Sequence, residues 1–160
     1  MKIVFNSSPL IFLARLDFLG KFIESSDDFY LPKSVADEIE AKQDKPSLYI
    51  KSLIESRQIE VREVNLVSLA NSLNERLGKG ESEAIALSIE LQADYTILDD
   101  SAARREAIRL GLNVKGTLAV IKKLDSEGKI IIESLDELYQ KLLEVKFRVK
   151  QTLFNEIFEN

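Results

Sequence analysis

Four short stretches of this chain carry side-chain oxygens in patterns that could do chemistry: Asn6-Ser7-Ser8, Glu38, Gly80-Glu81-Ser82-Glu83 and Asp99-Asp100. The sequence contains neither histidine nor cysteine. That excludes a Ser-His-Asp triad, a histidine general base, disulfides, and zinc sites built on imidazole or thiolate. A metal bound here must sit on oxygens, which favours Mg²⁺ or Mn²⁺ over Zn²⁺. Carboxylates gathered in one place repel one another unless a cation lies between them. Acids and amides delivered from four separate segments to one cleft would therefore form a candidate metal site.

Each residue also has a plainer use. Asp99 and Asp100 precede a helical stretch, where aspartate commonly caps the first turn. Glu81 and Glu83 lie in a first helical turn, where acids complement the helix dipole. Glu38 sits beside an apolar stripe of Val35 and Ile39 and reads equally as a solvated helical glutamate. Ser8 reads as a helix cap. Taken singly, these readings come first; the joint arrangement is what points to a metal.

The elements that must position these residues alternate between short apolar runs and longer helical stretches. Strands are expected at Lys2–Phe5, Phe29–Leu31, Ile59–Val64, Tyr95–Leu98, Asn113–Lys115 and, last, Ile130–Ile132. Helices are expected at Ser8–Leu16, with Ser8 as cap and Pro9 in the first turn, then at Pro32–Ala41, Lys45–Ser56, Leu66–Leu77 closed by Gly78, and Glu81–Leu91. Further helices are expected at Ser101–Leu110, Thr117–Ser126 and Leu135–Val145. The tail from Phe147 to Phe158 carries apolar residues on a helical period and is expected to dock on the body or on a second subunit. No repeat or linker divides the chain, so one domain with a C-terminal helical tail is expected. Strand–helix alternation implies an α/β fold, a parallel sheet covered by helices on both faces. In such sheets ligands bind at the carboxyl ends of the strands, where strand order reverses. Asn6 follows the first strand and Asp99-Asp100 the fourth, while Glu38 stands one turn into the helix after the second.

At these residues the sequence resembles a known family. The segments IVFNSSPLIFLARL, LPKSVADEI, GKGESEAIALSIELQADYTILDDSAARREAIRLGLNVKGTLAVI and FRVKQTLFNEI are similar to PIN domains related to the toxin nucleases of toxin–antitoxin operons. The resemblance runs over roughly residues 2 to 157, and its most specific part is Gly80 to Gly116. It implies a parallel sheet of order 3-2-1-4-5 and cleavage of RNA with Mg²⁺ or Mn²⁺ held on three or four acids. By position, the first acid falls on Asn6, the helical glutamate on Glu38, the third acid on Glu81 with Glu83 as its rival, and the fourth on Asp99 with Asp100 beside it. The family's serine or threonine near the first acid falls on Ser8. Asn6 departs from the family pattern, since an amide oxygen can ligate a hard cation but brings no charge.

The reading is a metal-dependent ribonuclease acting on single-stranded RNA, with catalysis on Glu38, Glu81 and Asp99 and a neutral ligand in Asn6. Arg104, five residues after Asp99, would meet the scissile phosphate or pair with Asp100. Lys79 and Lys115 are candidate contacts to the RNA backbone, although each reads more simply as a solvated lysine. The rival reading is a PIN-fold module with weak or no catalysis that binds RNA or protein, and Asn6 supports it. A phosphoacceptor receiver domain is excluded: the first strand ends in Asn6 and the third in Val64-Asn65, where a receiver needs acids. The formal charge of −5 is unlike a duplex-binding module and leaves room only for a local basic rim. No apolar run approaches membrane-spanning length and the amino terminus lacks a signal-peptide pattern, so a cytoplasmic protein is expected. An antitoxin protein is a candidate partner. Leu153, Phe154, Ile157 and Phe158 are too many apolar residues for a free tail, and a homodimer is expected.

Overall fold

Ile3 and Phe5 face one side of the first strand and Val4 the other, and all three are almost wholly buried. Side chains alternate across a strand, so a strand buried on both faces lies inside a sheet covered on both sides. The computed structural model describes residues 1–159 and has this architecture. The chain runs β1 (Lys2–Phe5), α1 (Ser7–Arg15), α2 (Leu19–Ile23), β2 (Asp28–Pro32), α3 (Lys33–Glu40), α4 (Lys45–Glu55) and β3 (Ile59–Arg62). It continues through α5 (Val67–Asn74), α6 (Lys79–Leu91), β4 (Tyr95–Ile97), α7 (Ser101–Arg109), β5 (Val114–Lys115), α8 (Thr117–Ser126), α9 (Leu135–Glu144) and α10 (Gln151–Phe158).

The five strands form one parallel sheet in the expected order, β3-β2-β1-β4-β5. β1 and β4 are direct neighbours, with Phe5 beside Ile97. The chain therefore leaves these two strands side by side, at the point where strand order reverses. The larger core lies on one face, where Ile3, Phe5 and Ile97 meet Leu13 of α1, Phe22 of α2 and Ile121 of α8. On the other face Val4 and Leu98 meet Ile85 of α6 and Ala103 of α7. One polar contact crosses that second interface: buried Thr96 donates to Ser88 Oγ at 2.8 Å, and Ser88 donates to the Ala84 carbonyl at 2.7 Å. Both hydroxyls are satisfied, so burying them carries no large penalty.

Several boundaries differ from expectation. Ile130–Ile132 is not a strand. The amides of Lys129 and Ile130 close back on the Leu124 carbonyl, while Ile130 and Ile132 lean on the core and Ile131 is 86% exposed. This in-out-in pattern mimics a strand but docks a connecting segment. α1 begins at Ser7, so Ser8 lies inside the first turn, and Asn6 occupies the cap position without making a side-chain cap bond. Gly78 does not close α5; it precedes α6, which starts at Lys79. α2, of five residues, has no counterpart among the expected elements, being too short for a periodic signal.

The tail docks on its own body. Phe147 packs edge-on against Phe12 at 5.0 Å between ring centroids, and Phe154, 1% exposed, sits 5.1 Å from Tyr139 and 4.8 Å from Phe158. Ile157 and Phe158 are partly buried against the same core, whereas Leu153 is 49% exposed. No helix among the described residues is long and apolar enough to cross a membrane. Burial of this kind sets the scale of an expected result. Phe154→Ala should lower stability by about 3 to 5 kcal/mol in urea denaturation, and Leu153→Ala by no more than about 0.5 kcal/mol.

Candidate functional site

Because β1 and β4 are parallel neighbours, Asn6 and Asp99 emerge at the same edge of the sheet. The Asn6 backbone N–H donates to the Ile97 carbonyl at 3.1 Å, extending the ladder by one bond, and the residue is only 4% exposed. The first turn of α6 lies over it, with buried Gly80 at the closest approach. A β-carbon at Gly80 would stand 3.0 Å from Glu38 Oε1 and 3.1 Å from Asn6 Oδ1. The missing side chain thus lets an oxygen from α3 and an oxygen from the end of β1 meet over one bare backbone face. The other carboxylate oxygen of Glu38 accepts a hydrogen bond from Ser7 Oγ at 2.9 Å, which fixes the orientation of the first.

Asp99 is held from another direction. Its two oxygens accept from the Thr117 amide at 2.8 Å and the Thr117 hydroxyl at 2.6 Å, so it caps the start of α8 from across the sheet edge. Gly116 makes this possible, since a β-carbon there would lie 3.0 Å from Asp99 Oδ1 and 2.9 Å from Arg104 Nη1. Arg104 does not pair with Asp100; it donates to the Leu98 carbonyl at 3.0 Å beside Asp99. Burial pushes the Asp99 carboxyl above its ordinary pKa, and the Thr117 hydrogen bonds and the Arg104 charge oppose that rise.

The remaining acids are turned to helix ends. Glu83 accepts from the Ser34 amide in the first turn of α3 at 3.2 Å. Asp100 accepts from the Ala103 amide at 2.9 Å and caps α7. Glu81 folds back over Gly78, where any side chain would collide with its carboxylate. Among the described residues no group of three or more acids stands close enough to hold a metal. What converges is one amide and one carboxylate over Gly80, with Asp99 at the next strand end and Glu81 the next residue along α6.

Asn6, Glu81 and Asp99 border a cleft of about 650 Å³ that Ser8 and Arg104 also line, with residues of the tail between Lys146 and Ile157 completing its wall; Glu38 and Gly80 are not part of that lining. Lys79 is exposed just before the site, and Lys115 lies outside the cleft, 5.8 Å over the Tyr95 ring. Sequence reasoning gave no role to Ser7, Thr117 or the two glycines, and did not place the tail against the cleft. Gly80 gave no signal, because it fell just before the expected helix Glu81–Leu91, where a glycine reads as a boundary. The Thr117 contact, 18 residues away from Asp99, had none.

The Asp99–Thr117 contact has measurable consequences in metal-free buffer. Asparagine at 99 can keep both bonds, because its oxygen accepts from the Thr117 amide and its NH₂ donates to a reoriented hydroxyl. It also removes a desolvated charge. Asp99→Asn should therefore match or exceed wild-type stability at neutral pH, whereas Asp99→Ala, which uncaps α8, should lose about 1 kcal/mol. Thr117→Val should lose about 1.5 kcal/mol. The pH dependence follows from the raised folded pKa: the native state holds the Asp99 proton more tightly than the unfolded state. Stability is thus lost as pH rises through that window and regained as it falls. Urea melts should show the Asp99→Asn advantage shrinking as pH drops into the ordinary carboxylate range.

A family model described as a PIN domain (DUF3368) matches residues 2–160. A comparison with curated proteins finds no match. The parallel 3-2-1-4-5 sheet, with Asn6 and Asp99 at adjoining strand ends, has the architecture expected of that family. The chain belongs to the PIN-domain family.

Proposed function

We propose that the chain is a metal-dependent ribonuclease that hydrolyses phosphodiester bonds of single-stranded RNA, as the toxin of a toxin–antitoxin pair or a close relative of one. The observation that supports it is the meeting of Asn6 and Glu38 oxygens over Gly80, with Asp99 at the adjoining strand end. An all-oxygen donor set fits Mg²⁺ or Mn²⁺. Asn6 and Glu38 would hold the ion together with Glu81 and Asp99 once these turn in from Gly78 and Thr117, with Glu83 and Asp100 behind them at helix starts. When bound, it supplies acidification of a water and neutralisation of phosphate charge.

The chain's own residues do the positioning. Ser7 holds Glu38 so that one oxygen stays free over Gly80, and Thr117 fixes Asp99. Arg104, anchored on the Leu98 carbonyl, keeps further N–H donors for a phosphate beside Asp99. Ser8 offers a hydroxyl from the cleft floor. A cleft of about 650 Å³ is the size of a small-ligand site, which suits a few nucleotides of a splayed strand and not a duplex.

A module that binds RNA or protein with weak or no catalysis is the second reading. Asn6 favours it, since a neutral donor binds a cation less strongly and activates water less. Cleavage of single-stranded RNA with Mn²⁺ and a chelator control separates the two. Asn6→Asp should tighten Mn²⁺ and speed cleavage. Glu81→Gln and Asp99→Asn should abolish cleavage, and Glu83→Gln should do less. Gly80→Ala should crowd Asn6 and Glu38 and weaken Mn²⁺ binding, with stability unchanged or raised by up to about 1 kcal/mol from better helix propensity. No cleavage by wild type or Asn6→Asp, together with no Mn²⁺ binding by calorimetry, would leave the binding module. The toxin reading also carries a cytoplasmic location, an antitoxin partner and a homodimer; an 18.1 kDa particle in sedimentation at micromolar concentration would remove the dimer.

A further inference from the structure

The segment joining α9 to α10 reads Lys146-Phe147-Arg148-Val149-Lys150 and has no regular secondary structure from Phe147 to Lys150. Its burial alternates. Phe147 is inserted against Phe12 and Val149 is half-buried, its carbonyl accepting from Tyr139 Oη at 3.0 Å. Lys146, Arg148 and Lys150 are exposed. Among the described residues none of these three cations makes an ion pair. A period of two puts like charges on one side of the strip, about 6.6 Å apart where the chain is extended. That is roughly the step between successive phosphates of an extended single strand. Lys146 and Arg148 line the same cleft as Asn6 and Asp99. In a chain of net charge −5, these three exposed cations stand together without an ion pair, and two of them line a cleft whose acids, Glu81, Asp99 and Asp100, come from the body.

Lys146 also ends a helix. It sits at φ +65°, the left-handed region, just after α9, where its amide and that of Phe147 close on the Leu143 and Leu142 carbonyls. Glycine is the favoured residue at such a helix end, but Asp17, Arg57 and Gln92 take the same conformation after α1, α4 and α6, so a non-glycine residue there is this chain's habit. Lys146 also lines the neighbouring groove with Arg15, Lys21 and Lys45, but Asp17, Glu24 and Glu144 share that groove and leave it mixed in sign.

We infer that Lys146, Arg148 and Lys150 form a backbone-binding strip that holds the phosphates of a single RNA strand against the cleft. The inference deepens the ribonuclease reading and rests on it for the identity of the ligand. It is tested on the full chain in chelator, where no cleavage occurs, with a short labelled oligouridylate and fluorescence anisotropy over a range of salt. The triple variant Lys146→Gly, Arg148→Gln, Lys150→Gln should bind at least about tenfold more weakly. Its log K against log salt slope should fall by about 2, as expected for three lost phosphate contacts on a single strand. Melting should be unchanged or raised, because glycine suits position 146, so weaker binding is not unfolding. A control variant removes equal charge from the opposite edge of the sheet (Lys2→Gln, Arg57→Gln, Lys129→Gln) and should keep most of the affinity. Equal loss in both variants, or none in the strip variant, overturns the strip and leaves Mn²⁺ binding and cleavage to judge the nuclease. Loss of affinity for an acidic peptide with RNA binding intact also overturns it, in favour of protein docking. Failure of Mn²⁺ binding in the wild type with the strip result intact would sink the nuclease and spare the strip.

Discussion

The constraint on which the rest of this molecule depends is that a parallel sheet starts its returning helices at one edge. α1, α3, α7 and α8 each follow a strand, so their amino ends gather where the strands finish. Each such end presents unpaired N–H groups and the positive pole of a helix dipole. Three carboxylates answer them directly: Glu83 on the Ser34 amide, Asp100 on the Ala103 amide and Asp99 on the Thr117 amide. Glu38 is reached by the Ser7 hydroxyl at the start of α1. The acidic edge is therefore stabilised by backbone donors before any cation is considered. The same donors keep the acids apart, which is why no ready-made trio of carboxylates stands there.

Asn6 fits this electrostatic setting. It is the most deeply enclosed of the strand-end oxygens, beneath α6 and close to Glu38. A carboxylate in its place would be desolvated and would face a second carboxylate across Gly80, a repulsion that only a bound cation relieves. The amide removes that strain from the metal-free fold. It exchanges ligand charge for ease of burial, the same balance that sets Asp99 above its ordinary pKa.

Much of the fold was legible in the sequence because its signals are local. Alternation at Ile3-Val4-Phe5, the Asp99-Asp100 pair after an apolar strand, and the order carried by the family resemblance place the sheet and its switch point. Ile130–Ile132 misled because alternation records burial, and a docking linker can alternate as a strand does. Gly78 misled because glycine serves either end of a helix. The site was legible only to the level of which segments meet. Ser7 with Glu38 and Ser34 with Glu83 are separated by 31 and 49 residues, and nothing near either partner encodes which hydroxyl or amide the acid will choose. The tail was legible as apolar and helical, but its alternating basic strip became visible only once Phe147 was placed against Phe12.

The grip of Asp99 on Thr117 reaches beyond the site. Thr117 opens α8, and further along that helix Lys122 hydrogen-bonds the Ile157 carbonyl of α10, the helix that forms part of the wall of the cleft. One helix thus touches both the aspartate and the tail, so the seat of each is built from the same element. The helix that receives the acid at its first turn receives the end of the chain on a later one.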